Sequence, residues 1–534
     1  MRYKRILCPI AVFVMSFVFI AGCGNDNSAT PSVALEDTIT TETLVAHAQA
    51  LERISLSNAL SRSSASPGYI QAMDYIKGHL RGPGWKVWEQ RFEYRFFLET
   101  EDPVLSMISP GQKTYAWGTD YQTITYSGFG DVTAGIVFVT PVLPPGETPN
   151  TSTDGCEAAD FHNIDVRGKI AVIQRGTCDF IKKVSNAESR GAAAVLIFNE
   201  GQEGRTDIVA GALPNDSIVG IPVIGIRYDL GKTLHDRYSA GAAVTLRAAI
   251  TGKSAMAPTY NLFAETVAGR NDQVILIGAH LDSVIEGPGI NDNGSGTAAL
   301  LEVSRQIDLQ GYTPKNKIRF AWWAAEENGL IGSYHYLDNL SPTEVRDIAM
   351  YLNVDSIASH NFIRGVEDAD LSDTIDYPET IYSETPKGSG TIEQVLLDYF
   401  HAQGLPTKPT PLTGLTDYEG FAKYGIPFGG LYAGLDGMKT EAEALLFGGM
   451  AGEPYDSCYH KACDTVSNMN TQIFTENARA VAHVAQYFGD RKVTTLFDKA
   501  SSSRTLRAAS GKTVKTGKTS RDRYHKDRRY RATR

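Results

Sequence analysis

Two histidines and a set of carboxylates fall at the edges of apolar runs in this chain. His280 and Asp282 lie in Gly278-Ala279-His280-Leu281-Asp282-Ser283, and Asp292 lies in Asn291-Asp292-Asn293-Gly294. The adjacent pair Glu326-Glu327 follows, then Asp355, then His460, which sits beside Tyr459 and between Cys458 and Cys463. Imidazole and carboxylate groups are ligands for zinc and related dications. A carboxylate has two oxygens and can bridge two cations, and a further carboxylate can serve as general base. The chemistry such a set can perform is metal-assisted hydrolysis.

Each signal has a plainer reading beside it. Alternate residues of a strand share a face, so His280 and Asp282 project together, His280 as ligand and Asp282 as the group that orients its second nitrogen; an isolated H-x-D is more often a surface pair. Asp292, in a polar glycine-rich loop before a helix, is by itself a turn or N-cap residue. Glu326-Glu327 comes directly after the core-like run Phe320-Ala321-Trp322-Trp323-Ala324-Ala325. Two acids there repel and lose hydration unless a cation meets them, or else the strand simply emerges into solvent. Neighbouring residues diverge, so one glutamate can ligate while the other faces the attacking water. Asp355 ends an apolar strand in the same manner, and the Tyr459 phenol can donate to a developing oxyanion.

Hydrophobic periodicity predicts the elements that must position these groups. Helices are expected over Thr43–Ser55 and Tyr69–Leu80, then an aromatic strand over Trp85–Phe97. A region of short strands follows from about Ser127 to Ile250, with Gly135–Thr140, Lys169–Gln174 and Ala194–Asn199 as strands and a helix ending at Arg190. Beyond it the pattern alternates: strand Val274–Gly278, helix Thr297–Ile307, strands Lys317–Ala325 and Met350–Val354, helix Thr391–Gln403, strand Pro427–Tyr432 and a closing helix Thr475–Phe488. Such alternation predicts an α/β fold with a mostly parallel mixed sheet sandwiched by helices. Ligands bind beyond the carboxyl ends of strands in such sheets, and every candidate residue falls there.

A length of 534 residues predicts more than one domain, and 42% hydrophobic with 21% charged residues is ordinary for globular protein. The net charge of -10 is uneven: from Lys499 to the C-terminus thirteen Lys/Arg face two Asp, about +11, leaving about -21 elsewhere. An acidic body gives no reason to expect nucleic acid. The tail has no apolar period and is expected to be disordered, with contact to anionic lipid or polysaccharide as the sharper alternative. At the N-terminus, Arg2, Lys4 and Arg5 precede an apolar stretch from Ile6 to Phe19 and then Ile20-Ala21-Gly22-Cys23. This is an export signal, and Cys directly after Ala-Gly resembles a bacterial lipobox. The expectation is a protein lipid-anchored in the cell envelope through Cys23, with the polar stretch to Ser32 as tether; a plain signal peptide is the alternative. Export permits disulfides, expected within the pairs Cys156 and Cys178, and Cys458 and Cys463. A zinc-thiolate site is disfavoured because neither pair has C-x-x-C spacing.

Taken together, His280-x-Asp282, Asp292-Asn293-Gly294-Ser295-Gly296, Glu326-Glu327-x-Gly329-x-x-Gly332-Ser333, Asn353-x-Asp355 and Tyr455-Asp456-x-Cys458-Tyr459-His460-x-x-Cys463-Asp464-Thr465 resemble the di-zinc exopeptidases related to vacuolar aminopeptidase Y and secreted bacterial leucine aminopeptidases. Arg175-Gly176-x-Cys178-x-Phe180-x-x-Lys183, with Gly191-Ala192 and Val195-Leu196-Ile197-x-Asn199, resembles a protease-associated (PA) domain, which that family carries as an insert. The resemblance covers about residues 40 to 490. It implies a zinc-exopeptidase, phosphorylase/hydrolase-like fold and a metal-dependent aminopeptidase acting on peptides with a free, leucine-like N-terminus. It implies two zinc ions, one on His280 and Asp355, the other on Glu327 and His460, with Asp292 bridging, Glu326 as base and Tyr459 as oxyanion donor. The domain plan becomes 1–22 signal, 23–39 anchor and tether, 40–126 first part of the peptidase, 127–250 PA domain, 251–492 main peptidase part and 493–534 basic tail. Many members carry Arg-Ser-Asp where this chain has Leu415-Thr416-Asp417, and that Arg helps hold substrate in some of them. Rival readings are a carboxypeptidase or dipeptidase, for which no basic carboxylate-binding motif is visible, a one-zinc glutaminyl cyclase, and a non-catalytic binding protein on the same scaffold.

Overall fold

The computed structural model describes residues 33–493, except 376 and 378, together with 497. The export signal, Cys23 and the tail from Lys499 lie outside the described residues. Among the described residues no helix is long and apolar enough to cross a membrane.

The strands of the described residues form two eight-stranded sheets. The first runs in the order Trp85–Glu99, Gly252–Thr266, Asn316–Trp323, Arg270–His280, Ile348–Val354, Phe428–Tyr432, Gly365–Glu367 and Lys408–Thr410. From Asn316–Trp323 to Phe428–Tyr432 the strands are parallel, and antiparallel pairs flank them on both sides. Side chains alternate between two covered faces, as the strand period requires. Ile275, Ile277, Phe320, Trp322, Met350 and Leu352 pack with helices Thr41–Leu56, Gly296–Leu309, Ser389–Ala402 and Thr471–Gly489. Leu276, Ala321, Trp323 and Tyr351 face the other way, toward helices Ile331–Asp338 and Tyr418–Lys423. The closing helix is secured at its start by Asn470, whose Oδ1 accepts from Gln472 N and Ile473 N at 3.0 and 3.3 Å.

The second sheet holds Lys113–Thr114, Val104–Ser109, Thr245–Ile250, Gly130–Phe138, Ile170–Gln174, Ala194–Phe198, Val223–Ile226 and Tyr121–Thr123, in that order. It has cores on both faces, with helices Phe180–Glu188 and Tyr228–Ser239 against it. The disulfide Cys156–Cys178 closes here with Cα atoms 5.8 Å apart. The two sheets are joined by a stalk in which Trp85–Glu99 and Gly252–Thr266 pair antiparallel without interruption, Trp85 opposite Thr266 and Glu99 opposite Gly252.

Two features differ from the sequence reading. The strand Gly252–Thr266 carries no local signal: it contains Pro258 and begins at a glycine, both strand-weakening, and it is held by its partner strand. Residues 104–126, expected in the peptidase, hold three strands of the second sheet. The reason is non-local: Val104–Ser109 pairs with Thr245–Ile250 from the far end of the insert.

Candidate active site

Four parallel strands end at one edge of the first sheet, and three of them deliver the charged residues. His280 is the last residue of its strand, Glu326 and Glu327 follow the turn after Trp323, and Asp355 directly follows Val354. The turn before Glu326 is sharp: Ala325 has φ 54°, and its N–H is taken by Ser64 Oγ at 2.5 Å. Asp292 stands on an irregular turn before helix Gly296–Leu309. This turn is clamped from the other side by Asp464, which accepts from Asn291 N (2.8 Å) and Asp292 N (3.1 Å). Asp456 accepts from Asn291 Nδ2 at 2.7 Å and from Cys458 N at 2.8 Å. The Cys458–Cys463 disulfide closes the loop that presents Tyr459 and His460, whose rings stack at 3.8 Å.

The structure brings all the expected ligands into one cluster. His280 Nε2 lies 3.2 Å from Asp292 Oδ1 and 3.3 Å from Asp355 Oδ1. His460 Nε2 lies 3.1 Å from both Asp292 Oδ2 and Glu327 Oε2. Asp292 thus gives one oxygen to each imidazole. Glu326 Oε2 stands farther out, 3.9 Å from His280 Nε2. The second nitrogen of His280 reaches Asp282 through the backbone carbonyl, at 3.0 Å, while the Asp282 carboxylate is 3.7 Å away and accepts instead from Glu326 N at 3.3 Å. Asp355 Oδ2 accepts from Thr416 Oγ1 at 2.5 Å, and Thr416 in turn accepts from Asn353 Nδ2 at 3.0 Å.

These groups fit metal ions. Atoms sharing a tetrahedral zinc at ~2.0–2.1 Å stand roughly 3.3 Å apart, close to the spacings above. His460 Nε2 is buried 3.1 Å from an oxygen of each of two carboxylates, the surroundings of a ligating nitrogen. The charge balance points the same way. Burial pushes the Glu326 carboxyl well up, opposed by His280 and reinforced by Asp417, Glu327 and Asp355. Burial carries Glu327 to about 7, with His460 pulling against it. Burial would discharge His280, yet Asp355, Glu326, Asp282 and Asp292 hold its imidazolium well above the usual range. Asp417, fully buried with Oδ1 unbonded, is raised by burial to about 7. Crowded acids of this kind need cations.

Sequence reasoning missed several supports. Arg62 has no exposed surface and donates to carbonyls of the loop between His280 and Asp292. It sits in the polar run Ser61-Arg62-Ser63-Ser64 before Pro67, which reads as a linker. Thr416, Ser64 and Ser356, whose Oγ donates to Asp292 Oδ1 at 3.1 Å, carry no local periodicity either.

Residues 261–485 match peptidase family M28 and residues 133–234 match the PA domain. An aminopeptidase of Pseudomonas aeruginosa is 41% identical over 448 residues, 83% of this chain and 80% of that protein. The chain belongs to peptidase family M28. A probable lipoprotein aminopeptidase of Mycobacterium tuberculosis is 34% identical over 452 residues, 85% of each chain. The solved aminopeptidase from Aneurinibacillus sp. strain AM-1 shares the fold with a TM-score of 0.65 at 24% identity, covering 86% of this chain and 96% of its own. The expected α/β peptidase fold with an inserted PA domain is borne out, and this M28 member is a metal-dependent aminopeptidase.

Proposed function

We propose that this aminopeptidase works with two zinc ions, one held by His280 and Asp355, the other by Glu327 and His460, with Asp292 shared between them. The observation that carries the reading is the division of the Asp292 carboxylate, Oδ1 toward His280 and Oδ2 toward His460, at 3.2 and 3.1 Å. When bound, zinc supplies Lewis acidity to the scissile carbonyl and makes the attacking water more acidic. Glu326 takes the proton of that water as its oxygen bonds to the first peptide carbonyl carbon. It delivers the proton to the leaving nitrogen as the C–N bond breaks. The Tyr459 hydroxyl donates to the oxyanion. Asp282 orients the His280 imidazole through its backbone carbonyl, which accepts from Nδ1, and holds the Glu326 backbone through its carboxylate, which accepts from Glu326 N.

The substrates are peptides with a free N-terminus and an apolar, leucine-like first residue, by resemblance to secreted bacterial leucine aminopeptidases. The peptidase body comprises about residues 40–99 and 252–492, with the PA unit between. The two disulfides support an exported protein, and Ala21-Gly22-Cys23 supports a lipid anchor at Cys23. The test is hydrolysis of leucine p-nitroanilide and its N-acetylated counterpart, with chelator and with zinc restored. Cleavage of the free-amine substrate alone, abolished by chelator and regained with zinc, is expected. Cleavage of the acetylated substrate, or insensitivity to chelator, would overturn the reading.

A further inference from the structure

The segment Ser55–Ser64 fastens both loops that carry the site, and no step of the reaction uses it. Arg62 is its centre. The residue is 0% exposed, and its guanidinium spreads over three carbonyls: Nε donates to Leu281 O (3.3 Å), Nη1 to Pro288 O, and Nη2 to Gly289 O (2.9 Å). Nη1 also donates to Ser55 Oγ at 3.2 Å, and Arg62 N donates to Ser283 Oγ at 3.0 Å. On either side, Ser61 Oγ donates to Val284 O at 3.1 Å and Ser64 Oγ accepts Ala325 N at 2.5 Å. The loop from Leu281 to Gly289 is the connection between His280 and Asp292, and Ala325 precedes Glu326. One short segment therefore sets the spacing of the two halves of the site.

The charge matters as well as the fork. The guanidinium lies in the field of Asp464, Asp282, Asp292 and Glu327, where it offsets part of the acid excess without occupying a ligand position. Only Arg can do both: its planar fork satisfies several carbonyls at fixed angles, whereas a lysine ammonium on a flexible stem is a point charge.

We propose that Arg62 is a positioning residue for the metal centre, fixing the separation of His280 and Asp292 by holding the carbonyls of Leu281, Pro288 and Gly289. The inference rests on the two-zinc reading of the site. Substitution of groups that orient metal ligands lowers metal affinity by about 10–100-fold.

The test uses the full chain carrying zinc, as wild type, Arg62→Lys and Arg62→Met. Zinc affinity is read by chelator competition and metal content, folding by circular dichroism and thermal melting with and without chelator, and turnover on leucine p-nitroanilide at saturating zinc. The expected result for Arg62→Lys is a wild-type circular dichroism spectrum, a melting temperature in chelator close to wild type, and zinc affinity weaker by about 10–100-fold. Turnover should fall at limiting zinc and largely recover at saturating zinc, with KM little changed; Arg62→Met should lose more. Wild-type zinc affinity in Arg62→Lys would overturn the proposal. So would failure of Arg62→Lys to fold, since Arg62 would then serve the fold rather than the metal. Wild type with fewer than two zincs per chain would instead refute the two-zinc reading.

Discussion

Glu326→Gln separates the base from the ligands. The glutamate is buried, 8% exposed, and its Oε2 stands 3.9 Å from His280 Nε2, outside the 3.1–3.3 Å ring of nitrogen-to-carboxylate contacts made by Asp292, Asp355 and Glu327. The amide has the same shape and cannot accept the proton. Because Glu326 stands outside that ring of contacts, the amide leaves the proposed ligand set of His280, Asp292, Glu327, Asp355 and His460 intact. Zinc content should therefore stay at two per chain. A positioned general base contributes about 10²–10⁴-fold, or about 2.7–5.4 kcal/mol of barrier at ~1.36 kcal/mol per decade. The interaction is made in the transition state, so kcat and kcat/KM should fall together with KM nearly constant. The assay is steady-state hydrolysis of leucine p-nitroanilide by zinc-saturated protein, with metal content measured on the same sample. Turnover within a factor of about ten of wild type with zinc in place would refute the assignment of the base. Loss of zinc would show instead that Glu326 is a ligand.

Further tests address the other parts. His460→Ala removes one imidazole from the half of the site shared by Asp292 Oδ2 and Glu327 Oε2, and metal analysis should show zinc content falling toward one ion per chain; two retained ions would reject its role. Replacing Cys458 and Cys463 by Ser opens a loop of sequence separation 5, for which chain entropy gives about 2 kcal/mol; an unchanged denaturation midpoint would show that the bond adds no stability. Glu393 is raised by burial and by Asp370 and Asp368 to about 8. Its folded pKa lies above its unfolded value, so its favourable contribution is complete below about pH 4.5 and is lost as pH rises through about 8. Glu393→Gln should remove a pH-dependent loss of stability of roughly 2–4 kcal/mol across that window, visible as flatter melting temperature against pH; parallel curves for the two proteins would refute the shift.

Sequence periodicity reached far into this fold because the central strands are buried on both faces. Asn316–Trp323 ends in the apolar run Phe320-Ala321-Trp322-Trp323, and Ile348–Val354 is apolar but for Asn353, so each announces itself without its neighbours. The site residues were visible for the same reason: each charged residue at the end of such a run has a plain reading alone, and their order along the chain is what singles them out. What escaped was whatever depends on chain remote in sequence. Gly252–Thr266 contains Pro258 and is held by its register with Trp85–Glu99, and the early strands of the insert are fixed by pairing with its last strand. Arg62 escaped because its partners are carbonyls about 220 residues away, and a carbonyl leaves no mark on sequence. The orientation of His280 escaped in detail: the expected carboxylate lies 3.7 Å away, and the Asp282 carbonyl at 3.0 Å makes the contact.

The charge around the site discriminates among the rival chemistries. Asp282, Asp292, Glu326, Glu327, Asp355, Asp417 and Asp464 cluster here, all but Glu327 and Asp355 classed as buried and those two only partly exposed. Arg62 and the two imidazoles are the basic groups set against them. A single dication, as in a glutaminyl cyclase, would leave this cluster strongly anionic. It would also leave either His280 with Asp355 or His460 with Glu327 facing Asp292 with no ion to share. Two dications would offset most of that charge and would use both oxygens of Asp292. The acidic surroundings of the site favour a substrate ammonium over a substrate carboxylate. That sign disfavours a carboxypeptidase, which must hold an anion at the same place. The balance could be upset by one change: Leu415, 47% exposed and next to Thr416, replaced by Arg. Leu415→Arg should add a cation at the rim and lower KM for peptides with acidic residues beyond the first more than for leucine p-nitroanilide. An equal effect on both substrates would place the residue outside the path of the extended chain.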